Sequence, residues 1–583
     1  MRFQILFLWL SISLIHIPRS EATTYYVSVN GDDTQAGTVS QPWKSIQKAA
    51  NTLIAGDTVY IREGNYMLTE RIEPAASGTS LQYIHYMAYP GEEHSVIIDG
   101  SQIPGANWFG IFYISAKSYL KFSGLRLENA GFAGFLIEDS AYIELENNRT
   151  FQTYSSGISV WNSHHIIINN NEISRACWPT GGVQECVSIS GSQYVEVKNN
   201  HVYDGGSIGF GGGGEGIDIK DGCHHVIVHH NRVEGIASVG IYVDAYAHNQ
   251  SDVQVYRNMI ENIAGVGISV ASEEGGALEN VSVRRNTVAH CSGRAMVIHW
   301  SQKPDYVIRN IYVQHNTFVG NQEGLDIGAH ASGSNIRIVN NIFSQNGLYQ
   351  MQNSSNDLPA GALHIRHNLL DGDNPSWALF GDDYVLDSPQ FVDAASNNFY
   401  PANNSPAIDR GAFLTQTINA GSGNMLPVAD ARFFSDAYGL APGDEIRLEG
   451  ETQNRRIVTV DIIQNILTLT ENMMWQDTTA VSQAYLGTAP DIGAYEFDPT
   501  ADVNTENTSR IIVFPNPAYD YLKVPSVSGY HSYHIYNLYG QLVRTGNPEA
   551  GIIPVSELVP SVYLLVLTNV ENGKKIKLRW IKK

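Results

Sequence analysis

The sequence predicts an all-β protein built around a right-handed parallel β-helix, and three observations carry that expectation. First, short alternating strands recur and each ends in Asn: IELENN, IIINNN, VEVKNN, VIVHHN, VQVYRN, VSVRRN, IYVQHN, IRIVNN and LHIRHN. Those asparagines are Asn148, Asn171, Asn200, Asn231, Asn258, Asn286, Asn316, Asn341 and Asn368, spaced 23 to 31 residues apart. Second, the apolar period is two and β-branched residues dominate the strands, which excludes a helical repeat. Third, Gly-rich turns separate the strands, as a solenoid with varying loops requires. Coils of such a solenoid stack at ~4.8 Å, the spacing of strands in a sheet. One Asn per coil at a fixed corner is then placed to form a buried amide ladder.

Composition narrows the function. Charged residues are 16% of the 583 and hydrophobic residues 43%, a balance that excludes disorder over most of the chain. The net charge of −22 argues against general nucleic-acid binding, which needs a basic surface. Four Cys are too few for a disulfide scaffold. Cys177 and Cys186 flank WPTGGVQE and could close a small loop after export, whereas Cys223 and Cys291 fall at different stations.

Taken in chain order, residues 1–22 read as a signal peptide: Arg2, the apolar run Ile5 to Ile17, then Ser20 and Ala22 as small residues before cleavage. No other apolar stretch is long enough to cross a bilayer, so the mature chain is expected not to span a membrane. Residues 23–497 form the β-helix domain. Its start includes helical spacing at Ile46, Ala49, Ala50 and Leu53, read as a helix capping the first coil. Residues 420–488 (PGDEIRLEG, RRIVTVDII, NILTLTEN) read as a small β insertion. Residues 498–509 are a polar linker, and 510–583 form a small all-β sandwich module.

A second strand in each coil aligns on its opening residue: GFLIE, GISVW, CVSIS, GIDIK, GIYVD, GISVA, AMVIH and GLDIG. Positions one and three after that residue are apolar and point inward. Positions two and four point outward and gather carboxylates, aromatics and His over adjacent coils. Asp218, Lys220, Tyr242 and Asp244 lie on these strands, with Glu185, Glu215, Tyr246, His248, Glu273, Glu274, Arg294, Trp300 and His330 nearby. Carboxylates do acid–base work on glycosidic bonds and aromatic rings pack against sugars. Asp218, Asp244, Glu215, Glu273 and Lys220 are therefore the candidate catalytic residues. Trp161, Tyr242, Tyr246, His248, Arg294, His299, Trp300 and Asp326 are the candidate sugar contacts. Asp218 and Asp244 should lie ~8 Å apart, one sheet spacing and a two-residue rise. That falls within the ~6.5–9.5 Å of an inverting carboxylate pair. Lys220 and Asp244 share a station on neighbouring coils, so a cross-strand ion pair is expected. It would favour ionised Asp244 as base and leave Asp218 or Glu215 as acid. Glu215, Asp218, Asp244 and Glu273 could also form an oxygen cage for Ca²⁺.

The C-terminal module resembles the sorting domain of the type IX secretion system. The resemblance rests on Pro515-Asn516-Pro517, the stretch Tyr536 to Val543, Gly551 and the Lys-rich end. It implies the type IX machinery as a partner and a secreted or cell-surface protein. Residues 24–497 resemble secreted β-helix carbohydrate-active enzymes, in the N-terminal segment and in PQFVD, NNSPAIDRG and APDIGAYEF. That implies a polysaccharide substrate, sulfated or acidic polymers included. The Asp-rich polygalacturonase pattern and the Asp-Pro-His-Asp epimerase signature are absent from the aligned strands. Lys220 resembles the base of the chondroitinase B and alginate lyase group, without matching surroundings. A glycoside hydrolase is the favoured expectation. A polysaccharide lyase using Lys220 and Arg294, and a non-catalytic glycan-binding adhesin, are the alternatives.

The domain reading has a direct consequence. Deleting residues 507–583 is expected to leave a folded solenoid that its own host retains in the periplasm, checked by fractionation; normal export of the truncated chain contradicts the reading.

Overall fold

The computed structural model describes residues 22–499, apart from 105–109, 179–183, 207–212, 301–306, 329–332, 356–357 and 373–382, and the strands of the C-terminal module between 521 and 582. Residues 1–21 of the signal peptide, residues 500–509 of the linker and Pro515-Asn516-Pro517 lie outside the described residues.

Three long parallel sheets form the walls of the β-helix. The first has thirteen strands, from Thr24–Val27 to Leu363–Arg366. The second also has thirteen, from Gly64–Met67 to Tyr384–Leu386. The third has ten, from Gly110–Ser115 to Met351–Asn353. Each strand pairs with the same strand of the coil before and after, so residues one repeat apart become direct neighbours. The inward positions form one continuous cluster of Val, Ile, Leu and Phe running the length of the solenoid. Near its start that core is aromatic: Tyr86 stacks on Phe122 at 4.9 Å and Phe112 on Phe135 at 5.5 Å.

The Asn ladder stands at the corner between the first and second sheets. All nine asparagines are at most 3% exposed. The Asn148 amide donates to Asn171 Oδ1 at 3.1 Å, and the chain of donations continues through Asn200, Asn231, Asn258, Asn286, Asn316 and Asn341 to Asn368 at 2.9 to 3.0 Å. Each Nδ2 also donates to a backbone carbonyl of the preceding coil, as Asn231 does to Val197 at 2.9 Å. The residue before each ladder Asn is left-handed, with φ between 50 and 58°. That conformation costs a non-glycine residue ~1–3 kcal/mol, so the ladder must hold the corner in place. A shorter ladder runs Ser140, Ser163, Ser192 and ends on Cys223, whose Sγ accepts the Ser192 amide at 3.4 Å. Cys223 thus occupies a serine station, which accounts for its burial.

At the start, Ser45 caps a short helix, Ile46–Ala50, by accepting the Lys48 amide at 3.2 Å. Ile46, Ala49, Ala50 and Leu53 are all buried in the main core. The insertion is a six-stranded sheet from Thr415–Gln416 to Ala480–Gln483 with its own core, which Tyr312 and Val339 of the solenoid join. Polar ties lock it down: Tyr312 donates to Asp430 at 2.8 Å, and buried Arg284 pairs with Asp444 at 2.9 Å. In the C-terminal module a four-stranded sheet and a strand pair enclose a separate core around Tyr533, Ile535, Tyr563 and Leu565. Among the described residues no helix is long and apolar enough to cross a membrane.

Replacing a ladder Asn by Leu strips the neighbouring coils of a buried donor and acceptor together. Asn231→Leu and Asn258→Leu are each expected to destabilise the solenoid by at least ~1–3 kcal/mol, measured by urea or thermal melts; unchanged melting in both removes the ladder's structural role.

Candidate active site

The candidate site lies on the third sheet, where pairing aligns two rows. One row runs Ser188, Asp218, Tyr242, Ser269, Val297 and Asp326. The other runs Ser190, Lys220, Asp244, Ala271 and His299. Both point away from the core. Four of their six strands open on glycine, with Cys186 and Ala295 at the same station in the other two. A Cβ on Gly216 would meet the Gly240 carbonyl at 2.5 Å, and one on Gly240 would meet that of Gly267 at 2.6 Å, so those two positions require glycine.

Much of this outward face is nevertheless buried. Asp218 is 3% exposed and Asp244 4%, with Glu185 and Glu215 also buried. Among these carboxylates sits Lys220. Its ammonium binds Glu185 and lies 3.8 Å from Asp218. The expected Lys220–Asp244 ion pair is not made: the two share a station, but the long Lys side chain reaches back toward the preceding coil. Burial works against the ammonium, but Asp218 and Glu185 outweigh it and hold Lys220 protonated.

One cation cannot neutralise this many buried carboxyls, so protons must. Burial, then the Glu185 charge, raises both Glu215 and Asp218, the latter well above the usual carboxylate range. Burial and the Glu273 charge push Asp244 up to about 8. Asp244 therefore carries its proton at neutral pH, which reverses the ionised-base role expected from the sequence. Glu215 Oε2, Asp218 Oδ1 and Asp244 Oδ1 are buried without a hydrogen-bond partner among the described residues.

A cavity of about 450 Å³ opens beside this cluster. Glu215, Tyr242, Glu273, Arg294, His299 and Asp326 line it. The Tyr242 hydroxyl donates to Glu273, and the Ser238 hydroxyl donates to Glu215 at 3.0 Å. Arg294 pairs with Glu323 at 3.0 Å and Asp326 at 3.2 Å. The other predicted residues lie elsewhere. Trp161 packs edge-on against Phe132, three coils toward the N-terminus from Tyr242. Tyr246 is exposed, and exposed His248 is held by Asp221 at 2.7 Å, outside the cavity lining. Trp300 ends the strand Arg294–Trp300, and its side chain lies outside the described residues, as does His330. Glu185 was legible as part of the face but given no role. Its signal was its station, directly before the opening residue, as Glu215 precedes Gly216. Among the described residues no three His, Cys, Asp or Glu side chains are arranged to hold a metal ion.

Comparison with known proteins agrees with the architecture. Residues 25–177 match the family described as "Pel9A-like, right handed beta helix region", and 244–343 match "Right handed beta helix region". Residues 512–583 match "Secretion system C-terminal sorting domain". The solenoid is thus a right-handed β-helix, and the sorting domain marks a type IX export substrate, extracellular or held at the cell surface. A pectate lyase, PEL9 of Emericella nidulans, is 35% identical over 153 residues, which cover 24% of this chain and 37% of that protein. The chain thus aligns with little more than a third of that relative's length. Among solved structures, a XylC complex with xylose covers 79% of this chain and all of its own at 13% identity and TM-score 0.46. A pectate lyase Pel9A structure covers 82% and 97% at 15% identity and TM-score 0.42.

The proton on Asp244 links this cluster to stability. Between about pH 4 and about pH 8 the folded chain keeps a proton that the unfolded chain releases, so stability falls as pH rises across that window. Asp218 and Glu215 act in the same direction. Melting between pH 5 and pH 8 should show a shallower decline for Asp244→Asn than for wild type; equal slopes contradict the raised Asp244 pKa.

Proposed function

We propose that this protein is an extracellular polysaccharide-degrading enzyme, a glycoside hydrolase whose cleavage site is the cavity on the third sheet. One observation carries the reading: Asp244, a buried carboxyl beside the cavity, feels the charge of Glu273, a carboxylate on the cavity wall. Asp244, pushed up to about 8, is a proton donor at neutral pH. Glu273 lines the cavity, is the charge that acts most on Asp244, and is oriented by the Tyr242 hydroxyl. A carboxyl held protonated beside a second carboxyl is the arrangement of a general acid and its partner base or nucleophile. Burial and the Glu185 charge raise the neighbouring Glu215 and Asp218 in the same direction. Arg294, His299 and Asp326 line the far side of the same cavity, where a sugar would rest.

The charge balance bears on the substrate. The two cations of the cluster and cavity, Lys220 and Arg294, are each already paired with carboxylates. Neither is free to neutralise an anionic group on a sugar, so neutral sugars fit the cleavage point better than sulfated or uronate chains.

A polysaccharide lyase is the second reading, favoured by the similarity to a pectate lyase and by a lysine at the centre of the cluster. Against it, Lys220 is held as an ammonium and is poorly prepared to accept a proton.

A panel of neutral and uronate polysaccharides, assayed both for new reducing ends and for ultraviolet-absorbing unsaturated products, separates the two. Reducing ends alone are expected. Asp244→Asn and Glu273→Gln should each lower turnover ~10²–10⁴-fold, with sugar binding retained and wild-type turnover falling above about pH 8. Near-wild-type turnover in both variants removes the assignment, and ultraviolet-absorbing products lost in Lys220→Ala establish the lyase instead.

A further inference from the structure

Four cysteines are buried, and two of them are close together. Cys223 and Cys291 belong to separate coils of the core. Cys223 contacts Ser192 and Ile189, and Cys291 contacts Ala289. Cys177 and Cys186 instead rest on the same segment of the preceding coil. The Cys177 amide donates to Ser155 O at 2.8 Å, and the Gly157 amide donates to Cys186 O at 2.9 Å. Ser155 and Gly157 are two residues apart, so their attached cysteines are separated by ~6–7 Å along the coil. That matches the ~4.4–6.8 Å between Cα atoms that a disulfide spans. The Cys177 thiol donates to Gln184 O, two residues before Cys186, at 2.7 Å, and Cys186 is close enough to help raise the Cys177 thiol's pKa. Both are at most 2% exposed. Cys186 follows Glu185, the carboxylate that binds Lys220.

The sorting domain sends this chain out of the reducing cytoplasm, and exported chains meet oxidising conditions. We propose that the exported protein carries a Cys177–Cys186 disulfide, which closes the loop 178–185 and anchors Glu185 at the base of the candidate active site. The bond forms by two thiol–disulfide exchanges with a disulfide oxidant, of protein or small-molecule type. Each cysteine loses its proton, the two sulfurs together give up two electrons, and the oxidant is released as two thiols. Burial of both sulfurs then shields the bond from reductants. The assignment stands whatever reaction the cavity performs.

The test uses full-length protein collected from the medium or surface of its own host. Thiol labelling in denaturant without reductant is expected to find two free cysteines, Cys223 and Cys291, and four after reduction. Non-reducing peptide mapping should recover a linked Cys177–Cys186 peptide. Four free thiols before reduction, or a Cys223–Cys291 link, overturns the proposal. A second measurement covers the loop. Cleavage by thermolysin between Gly182 and Val183 should accelerate about tenfold in Cys177→Ser and in reduced wild type, a modest share of what a native disulfide contributes. Equal cleavage in oxidised wild type, reduced wild type and Cys177→Ser overturns the anchoring role.

Discussion

The amide ladder at the corner of the first two sheets is the constraint on which the rest depends. A parallel sheet can slip by one residue and turn every side chain to the opposite face. Here a slip would tear Asn148 through Asn368 from their partners and leave buried amides unpaired. The ladder therefore fixes register coil by coil, and the left-handed residue before each Asn fixes where the chain turns. Register, in turn, decides which side chains meet on the distant third sheet. Asp218 faces Tyr242 and Lys220 faces Asp244 because Asn231 stands directly above Asn200 and below Asn258.

The candidate site draws on that rigidity. Packing Glu185, Glu215, Asp218 and Asp244 around one lysine costs desolvation energy that surface carboxylates avoid. A loosely held scaffold would relax, let water in and return these groups to ordinary ionisation. A solenoid cannot relax one coil without straining its neighbours, so the repulsion is relieved by retained protons instead. Gly216, Gly240 and Gly267 contribute by letting a carbonyl of the next coil approach where a Cβ would clash.

The insertion lies on the first sheet, away from the cavity. Tyr312, Val339 and buried Arg284, solenoid residues that would otherwise meet solvent, are covered by it. The first sheet is thus buried on both sides over these coils, which stiffens the wall opposite the site without contributing to its chemistry.

The repeat, the inward and outward alternation, the ladder asparagines, the insertion and the sorting module could all be read from the sequence, because each is a local pattern of side chains repeated at a fixed interval. The outward face was legible for the same reason, and it named Asp218, Lys220, Tyr242, Asp244 and Glu273. Protonation and pairing were not legible. Lys220 turns to Glu185 rather than Asp244, and Asp218 and Asp244 are sealed from water, because of how the coils pack and not because of their spacing along a strand. Their burial holds protons that sequence logic had removed from Asp244. Spacing along a strand determines which face a residue takes; only the packed coils decide how far it lies from water and which charge it meets.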